Sequence, residues 1–170
     1  MGPVEVHKEN IMKVSMPDNQ LTIKGRVRLI FEDVKTGEIE ISEWIENIIP
    51  TVGRTAIARR LRNVRTKSNE GIVTYGAVGT GSSTPANSDI KLATELIRKT
   101  IASSSNADNV VTFRIFFTTS EANGTLTEFG LFGEDASVSA DSGTLFERVL
   151  FSKTKTSAKT LTIESQITIS

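Results

Sequence analysis

A chain of 170 residues, 38% of them apolar, is long enough to bury one hydrophobic core, with or without an attached arm. Its 20 basic side chains offset 20 acidic ones, so no global field draws it toward nucleic acid or an anionic membrane. The lack of cysteine excludes disulfides, thiolate zinc sites and cysteine nucleophiles, and one His, one Tyr and one Trp leave few groups for acid/base catalysis.

Residues 1–20, MGPVEVHKENIMKVSMPDNQ, mix polar and apolar residues without the uninterrupted apolar run that a signal peptide or membrane span requires. This segment reads as an N-terminal arm on a soluble protein. His7 has no neighbouring His, Cys or paired carboxylate at ligand spacing, so no metal site is expected there.

Residues 21–32, LTIKGRVRLIFE, place Leu21, Ile23, Val27, Leu29 and Phe31 on one parity and Thr22, Lys24, Arg26 and Arg28 on the other, the pattern of a strand with one dry face. Lys35-Thr36-Gly37 supplies turn chemistry, and the alternation resumes at Ile39 and Ile41, which predicts a β-hairpin. That hairpin is acidic, carrying Glu32, Asp33, Glu38, Glu40, Glu43 and Glu46. After Pro50 the spacing of Ile57, Leu61 and Val64 predicts a short helix with Thr51 as a candidate N-cap. Around that stripe stand Arg54, Arg59, Arg60, Arg62 and Arg65. Such a cluster suits either a nucleic-acid patch or a helix whose charged face meets acids of its own chain or of a neighbour. The zero net charge and the absence of interleaved aromatics favour the second reading.

From residue 71 onward the sequence reads as strands and turns. NVVTFRIFFTTS sets Val111, Phe113, Ile115 and Phe117 against Thr112, Arg114 and Thr118. Asn123-Gly124 is a hairpin signal, and TLTEFGLFG after it is apolar on both parities. The closing TLTIESQITIS alternates again. The stretch NSDIKLATELIRKTIASSS admits a helical turn capped by Ser88 or Asp89 before it runs extended. The expectation is a mainly β protein, an antiparallel β-sandwich or barrel-like domain with an N-terminal β-hairpin and one or two short helices. Residues 21–70 form the hairpin and basic helix, residues 71–170 the sandwich core, and the two parts pack as one compact domain.

The glycine-rich YGAVGTGSSTPANSD, residues 75–89, invites comparison with phosphate loops. A Walker loop needs a lysine after its last glycine, where this chain has Ser82 and Ser83, and a dinucleotide fingerprint needs a third glycine that is missing here. The loop is therefore expected to be a strand terminus and turn, with no cofactor. Glu128 is more informative. It lies in a run apolar enough to be buried, and a buried carboxylate requires a cation. Arg98, Arg114 and Arg148 are similarly embedded and are the candidate partners in a structural ion pair.

Three segments in order, VTYGAVGTGSSTPANSDIKLATELIRKTI, VVTFRIFFTTSEANGTLTEFGLFG and SGTLFERVLFSKTKTSAKTLTIESQITI, resemble a family of small virion structural proteins of tailed bacteriophages, of the tail, tail-fibre and tail-collar kind. The residues carrying the resemblance are Gly79, Gly81, Leu92, Glu95, Arg98, Glu128, Gly130, Leu131, Phe132 and Arg148. It implies a β-rich, non-enzymatic building block located in the virion, made in the host cytoplasm and without catalytic, cofactor or metal residues. One-faced strands with open edges also ask for cover by other copies. The expected partners are therefore further copies, as a trimer or ring, and other tail, baseplate or capsid proteins. Neither a membrane nor nucleic acid is expected as a partner. The N-terminal hairpin or the terminal segment would lie on a neighbouring subunit, and Glu38, Glu40 and Glu43 would face the basic helix between subunits. Alternatives are a capsid decoration protein and, with less support, a carbohydrate-binding module.

Overall fold

The computed structural model describes residues 21–62 and 65–170. The arm, His7 and Val64 lie outside the described residues. Ten strands and one helix follow in chain order: β1 (Ile23–Asp33), β2 (Ile39–Ile41), β3 (Ile45–Glu46), α1 (Thr51–Arg60), β4 (Val73–Gly79), β5 (Glu95–Thr100), β6 (Ser103–Ala107), β7 (Val110–Phe117), β8 (Gly124–Gly133), β9 (Thr144–Lys155) and β10 (Lys159–Ile169). They form two antiparallel sheets. The first runs β2-β1-β10-β7-β6, with β3 also paired to β1, and the second runs β5-β4-β8-β9. This is the mainly β, sandwich-like architecture that the alternation predicts.

The dry parity of β1 faces inward. Val27, Leu29 and Phe31 join Ile115 and Phe117 of β7 and Leu161 and Ile163 of β10 against Val78, Phe129, Leu131, Phe146 and Val149 of the second sheet. β1 pairs with β10 along its whole length, from Ile23 opposite Ile169 to Asp33 opposite Lys159, so the segment before residue 70 is built into the first sheet. The second sheet is covered on its outer face as well, where Ala77, Leu92, Phe132 and Leu145 form a separate buried cluster. Burial on both faces explains why TLTEFGLFG is apolar on both parities.

Four expectations about local structure require correction. Thr51 does not cap α1. Pro50 occupies the N-cap position without a side-chain bond, and the Thr51 N–H is satisfied by the Asn87 carbonyl at 2.9 Å. The predicted apolar stripe is the packing face only in part: Ile57 packs against the core, whereas Leu61 is 88% exposed and the fully buried helix positions are Gly53 and Ala56. The helix lies directly on β9, where a Cβ at position 53 would sit 2.5 Å from the Phe146 carbonyl oxygen. Only small residues allow so close an approach.

Asn123-Gly124 does not close a hairpin between β7 and β8. Those strands belong to different sheets, and residues 118–123 carry the chain from one to the other. Positive φ occurs at Gly124, 115°, and at Ala122, 53°, but not at Asn123, so the left-handed pair that closes a tight hairpin is not formed. The segment redirects the chain out of the plane of the sheet instead of returning it alongside. Around Ser88 and Asp89 there is a turn without a helix, and the chain is extended from Glu95.

Candidate functional site

Glu128 projects from β8 onto the outer face of the second sheet, beneath the glycine-rich loop. It is completely buried. Gly79 pairs with it across the sheet, and a Cβ on Gly79 or Gly81 would lie 2.7 or 2.3 Å from Glu128 Oε1, so both glycines are needed for the loop to close over the carboxylate. Three backbone N–H groups point at it: Gly81 and Thr94 donate to Oε1 at 2.9 and 2.7 Å, and Ala93 donates to Oε2 at 3.0 Å. The loop does gather amides around an anion, and the anion is the chain's own carboxylate.

Of the candidate cations, Arg148 is the partner. Its Nε and Nη2 donate to Glu128 Oε2 at 3.1 and 2.8 Å. The rest of the guanidinium ties down the same loop, through Nη1 to Asp89 Oδ2 at 2.7 Å and Nη2 to the Ser83 carbonyl at 2.9 Å and hydroxyl at 3.0 Å. Residues 80–94 are thus organised around one buried ion pair whose donors and acceptors face each other, an arrangement suited to holding a loop and closed to a reacting substrate.

Arg98 and Arg114 lie elsewhere. Arg98 is paired with Glu95 on the same strand, at 2.6 and 2.7 Å, and donates to the carbonyls of Ser137 and Ser142, stacking 4.6 Å from the Phe132 ring. It clamps the 134–143 loop. Arg114 sits on the outer face of the first sheet in a cross-strand row with Glu164 and Arg28, with Glu164 taking Arg114 at 2.6 Å and Arg28 at 2.8 Å. Beside this row Trp44 receives the guanidinium groups of Arg26 and Arg28 at 4.4 and 4.5 Å from its ring centre, the geometry of cation–π contacts.

The structure does not bring the basic helix and the acidic hairpin together. Arg54 donates to the Ile49 carbonyl and to Asn87. Arg59 is bound by the buried Glu134, which also accepts from Gly71 N–H and the Thr144 hydroxyl. Burial pushes the Glu134 pKa up, but these donors outweigh it and leave the carboxyl below its ordinary value. Arg62 meets Glu70, whose pKa is lowered to about 2, chiefly by the Thr66 N–H. On the acidic side, Glu40 reaches Lys153 and Lys159 at 3.2 and 3.3 Å. Arg60, Arg65, Glu38 and Glu43 are exposed and form no ion pair among the described residues. Of the five arginines, Arg59 and Arg62 are thus taken by acids of their own chain and Arg54 by neutral oxygens, and Glu70 and Glu134 had no distinguishing pattern in the sequence.

One buried acid has no cation among the described residues. Glu147 points from β9 into the space between the sheets, accepting from Ser165 Oγ at 2.5 Å and Asn47 Nδ2 at 2.6 Å. Burial pushes its pKa up to about 8 against those two donors. Asn47 Oδ1 is buried beside it without a partner, which a protonated carboxyl can supply.

Among the described residues no cluster of His, Asp and Glu has the makings of a metal site, and no helix is long and apolar enough to cross a membrane. The chain matches no family model, no curated protein and no solved structure.

Proposed function

We propose that the protein is a non-enzymatic structural component of a tailed-bacteriophage virion, acting by self-association and docking onto other particle proteins at the tail, baseplate or fibre-attachment region. The sequence resemblance supplies the setting. The observation that carries the association is an apolar row on the outer face of the first sheet. Ile41, Ile30, Thr162 and Phe116 are consecutive partners across β2, β1, β10 and β7, and Ile41 and Phe116 are 55% and 42% exposed. Ile39, 58% exposed, extends the row along β2 at the sheet edge. Apolar side chains aligned beside an open edge form the kind of surface that a second copy covers.

Light scattering on the purified chain tests this reading. The wild type is expected to be oligomeric and the Ile39→Asp/Ile41→Asp double variant to dissociate with its circular dichroism unchanged. A monomeric wild type would sink the proposal. Arg60, Arg65, Glu38 and Glu43 are exposed and outside the chain's own ion pairs among the described residues, so association that uses them as complementary patches should weaken as salt rises. A particle map then separates a few copies at the tail from many over the head, the latter marking a capsid decoration protein.

A further inference from the structure

Lys155, at the end of β9, is 1% exposed, and among the described residues its ammonium hydrogen-bonds only neutral oxygens, Asn123 Oδ1 at 2.9 Å and the Thr119 carbonyl at 3.4 Å, with Glu121 acting on it only through its charge. The acid of the same loop, Glu121, is engaged by Lys99 Nζ at 2.6 Å and by the Thr118 N–H at 2.9 Å. A buried ammonium without a carboxylate is costly, and a hydrocarbon side chain would serve stability better. Burial also lowers the Lys155 pKa, which favours the free amine.

The electrophile is equally well placed. Asn123 Nδ2 donates to the Thr119 carbonyl at 2.9 Å, which turns Oδ1 toward the lysine. Gly124, the next residue, pairs directly with Lys155 across the sheet. With a carbonyl bond of about 1.2 Å, the 2.9 Å contact to Oδ1 puts Nζ within about 4 Å of the Asn123 carboxamide carbon, close to attack distance.

We propose that Lys155 and Asn123 join in an intramolecular isopeptide bond. Nζ attacks Cγ of Asn123, the Cγ–Nδ2 bond breaks, and Nδ2 departs as ammonia with protons released by Nζ. Starting from the lysine ammonium and the carboxamide, the products are a secondary amide and an ammonium ion, so charge and atoms balance without a co-reactant. The link ties the end of β9 to the start of β8, closing that hairpin into a covalent ring and anchoring the segment that crosses between the sheets.

Intact-mass measurement of the purified full chain provides the test. The wild type is expected to be lighter than its sequence by one ammonia, and a tryptic digest to contain a branched peptide joining residues 123 and 155. Lys155→Met and Asn123→Ala should both restore the full sequence mass, the second covering the case in which the first does not fold. A wild type of full mass overturns the proposal. So does an ammonia loss that persists in Lys155→Met without a branched peptide, since that marks a cyclic imide at Asn123-Gly124.

Discussion

Arg148 meets Glu128 at 2.8 Å with 2% of the arginine side chain and none of the glutamate exposed. Removing either partner leaves the other charge buried, which costs about 3–5 kcal/mol. Arg148→Met and Glu128→Gln should each lower stability in urea by this order, and the double variant should recover part of the loss. Hydrogen exchange of the amides at Gly81, Ala93 and Thr94 should accelerate in the Glu128 variant first, because those amides donate to it directly.

Helix α1 rests on β9 through Gly53, so the two ends of the helix should respond in opposite ways to substitution. Gly53→Leu forces the helix off the strand and is expected to cost at least about 1–3 kcal/mol, the usual range for overpacking. Leu61→Ser, at a position that is 88% exposed, should change stability by less than about 0.5 kcal/mol. Thermal melts of the two variants decide it.

Stability should pass through a maximum in weakly acidic solution. The Glu147 pKa is raised from 4.5 to about 8, so the folded chain holds a proton that the unfolded chain releases, and stability falls as pH rises between those values. The total loss is on the order of a few kcal/mol. Glu70 and Glu121 have pKa values lowered to about 2, by the Thr66 N–H and by Lys99 respectively, so their contribution is present above 4.5 and disappears as pH falls toward 2. Glu147→Gln should flatten the alkaline limb in urea titrations and leave the acid limb in place.

In the row Arg28, Glu164, Arg114 the central residue is expected to matter most. The arginine side chains are 32% and 47% exposed and the glutamate 3%. Arg28→Ala or Arg114→Ala removes one solvated partner at a cost of about 0–1 kcal/mol. Glu164→Ala leaves two guanidinium groups facing each other and should cost more than the sum of both. Urea titration at low and high salt checks this, with the gap between the variants narrowing as salt rises.

Much of the sheet structure was legible because β1, β7 and β10 alternate cleanly, and the apolar run around Glu128 announced burial on both faces. The need of Glu128 for a cation was readable too, whereas its choice among three arginines was not. That choice depends on Gly130 standing opposite Arg148 and on register shifts within the pair of strands, which set the side of the sheet on which each side chain emerges. The loop's purpose was hidden for a related reason. Gly79 meets Glu128 only through strand pairing, so its closeness to a carboxylate leaves no local mark. Of the Asn123-Gly124 pair only Gly124 has positive φ, and dihedral preference says nothing about whether the flanking strands pair.

The union of β1 with β10 has a consequence for how the molecule is made. Thr22 and Ser170 hydrogen-bond to each other across 148 positions of chain. While the ribosome is still producing the later strands, Val27, Leu29 and Phe31 have no final neighbour to cover them. The first sheet can be completed only when the last strand has emerged, so nascent chains should depend on chaperones late in synthesis, and premature termination before residue 159 should yield insoluble product.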